Sequence, residues 1–377
     1  MINVYYWCPF IGNVATIKAV VNSAYSLAKY DKKLLPTIIN SCGEWDTFAS
    51  NLNEKKIYLK NFKNFFKIDT KTTGYIKSRL VYFMIFISCF FLLKKTLKND
   101  RPSYLIAHLI TSLPLFIYLI FDFKTKLIIR VSGKVKMNFF RKLLWKYSKK
   151  NIFLITCPTK ETQQELIKLK LIENSKIIYL PDPIIEINEI TKQKKKIEHY
   201  NLKNRFFVTI GRYTKQKNHL LLIRCFKKIV QVDNDINLLI IGNGELKKNY
   251  IAEIQKLGLE DKVKLINFTK NVPFYLCRSL GLISTSLWED PGFVMIESAA
   301  CNTFVISSDC PNGPKEFIKN DSGILFKNND INSLEESILK YLNMNSIEVL
   351  KNKICAKKKT KYFTKFRHFE ILSKHLI

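Results

Sequence analysis

The C-terminal half of the chain alternates short apolar runs with amphipathic stretches, and this alternation constrains the fold most strongly. Apolar runs at Phe206–Ile210, Ile236–Ile241 and Thr303–Ile306 have the length of buried strands. The first run precedes a stretch whose apolar residues recur at helical spacing, namely Leu221, Leu222, Cys225, Phe226 and Ile229. Strands that alternate with helices in this way predict a parallel, doubly wound α/β sheet.

Polar or glycine-rich loops follow these predicted strands. Arg212 and Lys217 follow the first strand, Gly242–Glu245 follow the second, and Ser307–Glu316 follow the last. Ligands of doubly wound sheets bind outside the carboxyl ends of the strands, so we expect these loops to meet at one edge. Fixed cations on a strand-to-helix turn commonly bind a diphosphate. The Gly-x-Gly sequence is weaker evidence, because glycines at a strand end often form only the turn.

The segment Trp288–Glu297 places two carboxylates eight positions apart around a Pro-Gly turn. Glu289 lies in the loop before the turn, and we expect Glu297 about two turns into the helix that follows. The free backbone amides at the start of that helix suit a phosphate or a polar ligand. Carboxylates accept hydrogen bonds from vicinal hydroxyls, so both glutamates are candidate sugar or ribose ligands. The alternative is an acidic loop followed by a solvated helix glutamate.

The order of these motifs resembles that of the retaining glycosyltransferases of family 4. Gly-Arg-x4-Lys-Asn, Gly-x-Gly-Glu, Glu-x7-Glu and Ser-Asp-Cys-Pro-Asn-Gly-Pro-x-Glu follow one another, and the resemblance is most specific over Phe206–Tyr341. It implies an α/β GT-B fold, in which two Rossmann-like doubly wound parallel-sheet domains face a cleft. It also implies transfer of a hexose or N-acetylhexosamine from a nucleotide-diphosphate sugar with retention of anomeric configuration.

The resemblance implies roles for individual residues of the C-terminal half. Arg212 and Lys217, which follow Gly211, correspond to the cations that bind the donor diphosphate. Glu289 corresponds to the residue that contacts the transferred sugar, and Glu297 to the residue that contacts the nucleotide ribose. The amides between the two glutamates would reach the diphosphate or the sugar, here at Gly292, Phe293 and Val294. Asp290-Pro291 stands where many relatives have glycine, so the resemblance leaves the donor sugar open.

The implied chemistry needs no metal and no enzyme nucleophile. Arg212, Lys217 and the helix start at Gly292 would stabilise the departing nucleotide diphosphate, while Glu289 would orient sugar hydroxyls. No Asp-x-Asp pair suited to a metal-bound diphosphate precedes the acceptor region. We therefore expect metal-independent transfer from a UDP-sugar with no further cofactor.

Three residues of the N-terminal half are candidates for the same reaction. Gly12 follows the predicted strand Asn3–Trp7, and in the resembling family a glycine here lets the backbone approach the donor phosphates. A glycine that merely turns the chain is the alternative. His108 follows an apolar strand where family members frequently have a histidine that contacts the transferred sugar, although a lone histidine is more often structural. Arg130 suits either an acceptor phosphate or a structural ion pair.

Length and composition predict two domains. A chain of 377 residues exceeds the usual size of a single core. We expect an acceptor-binding domain over residues 1–185 and a nucleotide-sugar-binding domain over residues 203–345, with the boundary near Asp182–Lys203, where a lysine-rich polar run occurs. Residues 360–377 predict an amphipathic helix that crosses back onto the first domain, with an ordinary terminal helix as the alternative.

A net charge of +31, of which +20 lies in residues 1–180, favours an anionic partner. A lysine-rich coding bias is the alternative. The apolar stretch Leu80–Leu93 is flanked by Lys77, Arg79, Lys94, Lys95 and Lys98. Since about 20 apolar residues are needed to span a bilayer as a helix, this stretch suits a segment that lies in the membrane interface. A buried core helix is the alternative.

These features favour a polyprenyl-diphosphate-linked saccharide acceptor and a peripheral enzyme of bacterial O-antigen, capsule or lipopolysaccharide biosynthesis. The sequence begins without a secretory signal, and the nine scattered cysteines resemble those of a reduced protein, so we expect the cytoplasmic face of the inner membrane. Another GT-B enzyme, such as a nucleotide-sugar epimerase or a soluble small-molecule glycosyltransferase, would not need the cationic apolar segment. A basic nucleic-acid-binding protein would leave the Arg212, Lys217, Glu289 and Glu297 constellation unexplained, so no nucleic acid is expected.

Overall fold

A computed structural model describes residues 1–12, 15–67, 75–131, 133, 138–195 and 205–377. The chain divides into two compact units. Unit 1 comprises Met1–Ile184 and Thr364–Ile377, and unit 2 comprises Ile185–Phe363. Residues 196–203 of the expected linker lie outside the described part of the chain. Unit 2 includes residues 346–363, which the predicted second domain, ending at residue 345, left out.

The described residues of unit 1 form a seven-stranded parallel sheet. A helix connects each strand to the next one in the sequence. The strand order is β3-β2-β1-β4-β5-β6-β7. The strands are β1 Ile2–Trp7, β2 Leu34–Asn40, β3 Tyr58–Asn61, β4 Tyr104–Ala107, β5 Lys126–Arg130, β6 Ile152–Cys157 and β7 Ile177–Tyr179. The helices are α1 Ala15–Tyr30, α2 Ala49–Glu54, α3 Tyr75–Asp100, α4 Ser112–Ile120, α5 Phe139–Ser148 and α6 Lys160–Lys168.

The sheet of unit 1 is buried on both faces, which explains why its strands are almost continuously apolar. Alternate side chains of β1 point to opposite faces, so that Val4 and Tyr6 join one hydrophobic cluster and Trp7 joins another. Helix α1 covers the first cluster with Val20, Ala24 and Leu27, among others. Helices α3 and α4 cover the second.

Unit 2 repeats this organisation with six parallel strands in the part that the structure describes, in the order β10-β9-β8-β11-β12-β13. The strands are β8 Phe206–Ile210, β9 Asn237–Ile241, β10 Val263–Ile266, β11 Gly281–Ser284, β12 Phe304–Ser308 and β13 Ile324–Phe326. The helices are α7 Ile187–Lys194, α8 His219–Val232, α9 Lys247–Lys256, α10 Val272–Arg278, α11 Phe293–Ala300, α12 Pro314–Phe317, α13 Ile331–Leu342 and α14 Ser346–Lys359. The predicted doubly wound parallel α/β class is thus confirmed in each unit.

The last helix, α15 Lys365–Ser373, belongs to unit 1 and packs against α1. It begins at Lys365, later than the expected start near residue 360, because the Thr364 side chain caps its first turn by accepting from the amide of Arg367. Leu372 and Leu376 are buried in the cluster that α1 covers.

A buried histidine on α15 makes two further contacts within unit 1. The His368 Nδ1 atom lies 2.8 Å from the carbonyl oxygen of Pro181, and its Nε2 atom lies 2.8 Å from the Ser23 hydroxyl. A carbonyl only accepts, so Nδ1 carries the proton and Nε2 accepts from Ser23. The Tyr6 hydroxyl lies 3.0 Å from Ser23 and extends this chain of hydrogen bonds. The sequence pattern of α15 did not predict this histidine's role.

Candidate functional site

The loops after β8 and β11 enclose the candidate site in unit 2. The strand order of unit 2 reverses between these two strands, because β9 and β10 lie on one side of β8 and β12 and β13 lie beyond β11. Open α/β sheets bind ligands outside the carboxyl ends of the strands at such a reversal. A pocket lies at this position, lined by Thr209, Ile210, Lys217, His219, Leu282, Ile283, Ser284, Thr285, Ser286, Glu289, Gly292, Val294, Met295, Ser307 and Pro314.

An ion pair between the two loops lines this pocket. The Lys217 Nζ atom lies 2.6 Å from Glu289 Oε1, and the two side chains are only 18% and 10% exposed. The Ser286 hydroxyl donates to the same carboxylate oxygen over 2.5 Å. Among the described residues, the other oxygen of Glu289, Oε2, has no hydrogen-bond partner. Glu289 is therefore held at one oxygen and can accept hydrogen bonds from a ligand at the other.

Neighbouring residues fix the loop that carries Lys217. A Cβ atom on Gly211 would lie 3.1 Å from the Lys217 side chain, so the glycine gives this side chain its space. The Thr285 hydroxyl donates to the carbonyl oxygens of Lys217 and Asn218 over 3.0 and 3.1 Å. Asn218 adopts a left-handed conformation with φ +49° immediately before α8. The loop after β11 thus contacts Lys217 twice: Thr285 fixes its backbone, and Glu289 binds its ammonium group.

Arg212 lies in the same loop but does not line the pocket. Its exposed guanidinium group donates to the side-chain oxygen of Gln216 over 3.3 Å. The side-chain amide of Gln216 donates in turn to the Trp288 backbone carbonyl over 2.9 Å. The backbone amide of Leu287 donates to the backbone carbonyl of Gln216 over 2.8 Å. Gln216 therefore joins the loop of Lys217 to the loop of Glu289.

The start of α11 supplies backbone amides beside the ion pair. Gly292 adopts φ +91°, which favours glycine, and the helix begins at Phe293. Gly292 and Val294 line the pocket, whereas Phe293 does not. Glu297 is the fifth residue of α11 and lies little more than one turn from its start, so the expected distance of two turns was wrong. Glu297 is half-buried and does not line the pocket with Glu289.

The Gly-x-Gly sequence after β9 has a packing role. A Cβ atom on Gly242 would lie 1.9 Å from the Gly211 carbonyl oxygen, and one on Gly244 would lie 2.5 Å from that of Tyr213. Both glycines also have positive φ angles, +154° and +158°. Their small size therefore lets the loop that contains Lys217 pack directly on the loop after β9.

Gly12 and His108 flank the corresponding reversal of strand order in unit 1. Gly12 follows β1 and has φ +77°, and His108 follows β4, where its amide donates to the Trp7 carbonyl over 2.9 Å. The His108 ring is buried, and neither of its nitrogens has a hydrogen-bond partner among the described residues. It lines a second pocket, together with Ser23, Arg130 and His368 among others.

The environment of His108 keeps its ring neutral. Burial lowers the pKa of His108 well below its ordinary value, and the charge of Arg130 acts in the same direction. A neutral imidazole has one nitrogen that donates and one that accepts. His108 can therefore bind an uncharged hydroxyl group at either ring nitrogen.

Arg130 forms the structural ion pair that the sequence analysis gave as one of two interpretations. Its Nε atom donates to Asp182 Oδ1 over 3.0 Å, and its Nη2 atom donates to Oδ2. Both side chains are buried. The charge of Arg130 is therefore compensated within unit 1.

Ser286 is the main site residue that sequence reasoning missed. The run Ser284-Thr285-Ser286 at the end of an apolar strand is the feature that could have identified it. Ser308, at the end of β12, supports it by donating to the Ser286 carbonyl over 2.5 Å. In the described ranges, no group of three or more His, Cys, Asp or Glu side chains is placed to hold a metal ion.

The sequence of unit 2 matches a known protein family. Residues 190–361 match the model of the family described as glycosyl transferases group 1. A Campylobacter jejuni protein, named N-acetylgalactosamine-N,N'-diacetylbacillosaminyl-diphospho-undecaprenol 4-alpha-N-acetylgalactosaminyltransferase, is 33% identical over 186 residues, which are 49% of this chain and 50% of that protein. The amylovoran biosynthesis glycosyltransferase AmsD of Erwinia amylovora is 32% identical over 145 residues, 35% of this chain and 40% of that protein. The chain thus spans half or less of the length of these relatives.

The fold of the whole chain matches a solved structure. Staphylococcus aureus TarM, as a mutant in complex with fondaparinux, alpha-GlcNAc-glycerol and UDP, superposes with a TM-score of 0.75 at 16% identity. The match covers 100% of this chain and 99% of that one. The predicted GT-B fold is confirmed by this likeness.

Proposed function

We propose that this chain, which contains a glycosyltransferase group 1 domain over residues 190–361, transfers a sugar from a nucleotide-diphosphate sugar to a lipid-linked saccharide. The observation that carries the proposal is the buried pair of Lys217 and Glu289 beside the start of α11. It brings a cation, a carboxylate and free backbone amides to one pocket at the reversal of strand order. These three kinds of group are suited to the phosphates and hydroxyls of a sugar diphosphate.

The donor roles follow from the resemblance to the retaining glycosyltransferases of family 4, and the chemistry of each side chain fits its role. Lys217 binds the diphosphate with the amides around Gly292, Phe293 and Val294, and Arg212, next to Gly211, reaches the same phosphates from outside the pocket. Glu289 accepts hydrogen bonds from the sugar hydroxyls through its second oxygen. Glu297 accepts from the ribose hydroxyls.

Transfer then depends on charge that is already in place. Departure of the nucleotide diphosphate leaves negative charge near Lys217 and the positive end of α11, and both are fixed before the reaction begins. Glu289 is held by Lys217 and Ser286, so it orients the sugar and does not attack it. We propose retention of configuration. The alpha linkage in the name of the Campylobacter relative is compatible with retention from an alpha-linked donor.

We propose that the acceptor binds to unit 1, where the neutral ring of His108 binds one of its hydroxyl groups and Gly12 lies at the same reversal of strand order. The Campylobacter relative is named for an undecaprenol diphosphate saccharide, and the Erwinia relative for the biosynthesis of amylovoran. We therefore propose a polyprenyl-diphosphate-linked saccharide in bacterial surface polysaccharide biosynthesis. The proposed location is the cytoplasmic face of the inner membrane.

The test is a transfer assay with purified protein, a short polyprenyl-diphosphate saccharide and a panel of UDP-, GDP- and dTDP-sugars, in the presence of a chelator. Mass spectrometry detects the extended saccharide, and NMR determines the anomeric configuration of the new linkage. The proposal predicts product from at least one donor, with the configuration retained. Donor hydrolysis or epimerisation without extension of any acceptor would favour another GT-B reaction.

A further inference from the structure

Helix α3 is longer than the apolar stretch that the sequence analysis singled out. It extends over 26 residues, from Tyr75 to Asp100, and continues through the cations on both sides of Leu80–Leu93. The part Arg79–Asp100 is long and apolar enough to cross a membrane, and it is the one helix of the described residues for which this holds. Length and composition alone do not distinguish a spanning helix from a core helix or an interfacial one.

Burial distinguishes them, because one side of α3 is part of the core of unit 1. Ile85, Cys89 and Leu93 are 0% exposed and pack in the cluster that contains the strand residues Leu105 and Leu127. A helix that spanned the bilayer alone would have lipid on every side. Helix α3 is therefore fixed to the sheet along one side and can meet lipid only along the other.

The other side of α3 exposes large apolar residues in a continuous stripe. Ile87 and Phe91 each lie two positions, or about 200° around the helix, from a buried residue. The stripe consists of Leu80, Phe83, Met84, Ile87 and Phe91, which are 59, 63, 45, 57 and 71% exposed. In water this stripe is unfavourable, because none of the described residues of unit 1 covers it.

Helices α4 and α5 extend the apolar surface. Phe116 of α4 packs on Phe86 and Phe90 of α3, with ring centroids 5.7 and 6.2 Å apart, and α4 packs on α5. These two helices expose six more large apolar side chains, namely Phe116, Leu119, Ile120, Phe139, Phe140 and Tyr147. We call the exposed apolar residues of the three helices the α3–α5 face.

The charges on the same helices indicate which kind of partner fits the α3–α5 face. Helices α3, α4 and α5 together contain eight Lys or Arg residues and one acidic residue, Asp100. A second copy of this chain would bring like charges together in a symmetric interface, which is unfavourable. Nucleic acid would not cover exposed phenylalanine and isoleucine side chains at so many positions. An anionic lipid surface satisfies both the apolar residues and the cations.

We propose that the α3–α5 face binds unit 1 to an anionic lipid bilayer, with α3 lying in the interface along its exposed side. The aromatic and aliphatic side chains enter the boundary between headgroups and acyl chains, while lysines such as Lys142 and Lys146 contact lipid phosphates. This inference deepens the proposed function and rests on it in one respect, since a lipid-linked acceptor is reached at a membrane.

The test is sedimentation of the full chain with vesicles of phosphatidylglycerol and phosphatidylcholine, compared with vesicles of phosphatidylcholine alone. The apolar variants are Phe83→Ser/Phe91→Ser and Phe139→Ser/Phe140→Ser. Their matched control is Ile347→Ser/Leu350→Ser, on the exposed side of α14 in unit 2. The charge variant is Lys142→Glu/Lys146→Glu, with Lys357→Glu/Lys358→Glu of α14 as its control.

We expect the wild type to partition onto the anionic vesicles and both apolar variants to partition about tenfold less, since interfacial binding scales with buried apolar area. The charge variant loses binding to anionic vesicles, and both controls keep it. The proposal would be overturned if the apolar variants partitioned onto the anionic vesicles as strongly as the wild type. It would also be overturned if the wild type did not bind to the vesicles. A wild-type dimer that dissociates in the Phe83→Ser/Phe91→Ser variant would overturn it as well.

A second measurement separates this inference from the donor site. Every variant is also titrated with UDP-sugars and followed by its melting temperature, because a ligand that binds only the folded protein raises that temperature. Intact nucleotide-sugar binding with lost vesicle binding supports the α3–α5 face. If the wild type binds no nucleotide sugar, the proposed function is contradicted. The vesicle result then tests membrane binding by the α3–α5 face alone.

Discussion

Lys217 and Glu289 are 72 residues apart in the chain, and their side chains form a largely buried ion pair in the pocket of unit 2. Each follows one of the two strands between which the strand order reverses. Removal of one partner leaves the other charge buried without compensation, which is strongly unfavourable. The pair therefore holds the two loops at a fixed separation and keeps both charges in place before a donor binds.

Glu289→Gln separates donor binding from transfer. The amide keeps the shape of the side chain and removes its charge, so Lys217 stays available for the diphosphate while the sugar hydroxyls lose a charged acceptor. We expect KM for the donor within about threefold of the wild type and kcat lower by about tenfold or more. Steady-state transfer kinetics measure both, with the exposed Glu245→Gln as the control. An unchanged kcat would contradict the assignment of Glu289 to the sugar hydroxyls.

Ser286 acts by positioning Glu289. Ser286→Ala removes a hydrogen bond to a charged group, and such bonds contribute about 1.5–3 kcal/mol, so transfer is expected to fall by about tenfold or more. Ser286→Thr keeps the hydroxyl and is expected to restore most of the activity. The discriminating readout is kcat at saturating donor. Equal loss in both variants would indicate a packing defect and contradict the positioning role.

The pH dependence of stability is expected to reflect His368. Burial lowers its pKa to about 4 from an ordinary value of 6.5, against smaller opposing effects of the Pro181 carbonyl and Asp182. Between these two pH values the unfolded state binds the proton and the folded state does not, so stability is present above pH 6.5 and lost as pH falls toward 4. The loss amounts to about 2 kcal/mol at pH 5.0 and reaches about 3 kcal/mol below pH 4.

Urea denaturation at pH 7.5 and 5.0 measures this loss. Three of the four tryptophans, Trp7, Trp45 and Trp145, are buried in unit 1, so fluorescence reports mainly on that unit. His368→Gln can bond to both Ser23 and Pro181 but does not titrate, and we expect it to show a smaller difference between the two pH values. The same difference in variant and wild type would assign the effect to another group.

Arg130 and Asp182 are expected to matter as a pair. Arg130→Met leaves the buried Asp182 carboxylate without its partner and should lower the free energy of unfolding by about 3–5 kcal/mol. Arg130→Met/Asp182→Asn removes both charges and should lower it less. The same fluorescence measurement applies. A double variant that is less stable than the single one would contradict this account.

The sequence was sufficient for the strands and for the loops at their carboxyl ends, because buried parallel strands are continuously apolar. Phe206–Ile210 was predicted with its observed bounds. The ion pair of Lys217 and Glu289 was not predicted, although both residues were candidates, because it depends on β8 and β11 being neighbours. Strand order is a property of tertiary packing, and a linear pattern contains no record of it.

Other differences have local physical causes. The start of α11, and hence the depth of Glu297, follows from the left-handed conformation of Gly292. The length of α3 was underestimated because the flanking lysines interrupt the apolar pattern but not the helix. The role of His368 depends on contacts with Ser23 and Pro181, which lie 345 and 187 residues away.

Calorimetric titration with UDP and UDP-sugars tests the donor site of unit 2 most directly. The three proteins to compare are the wild type, Lys217→Met and Lys215→Met, whose exposed lysine lies two positions earlier in the same loop. We predict that Lys217→Met weakens binding by about tenfold or more, because a cation that contacts a diphosphate is lost, and that Lys215→Met stays within about twofold. Binding of equal strength in all three proteins would contradict the assignment.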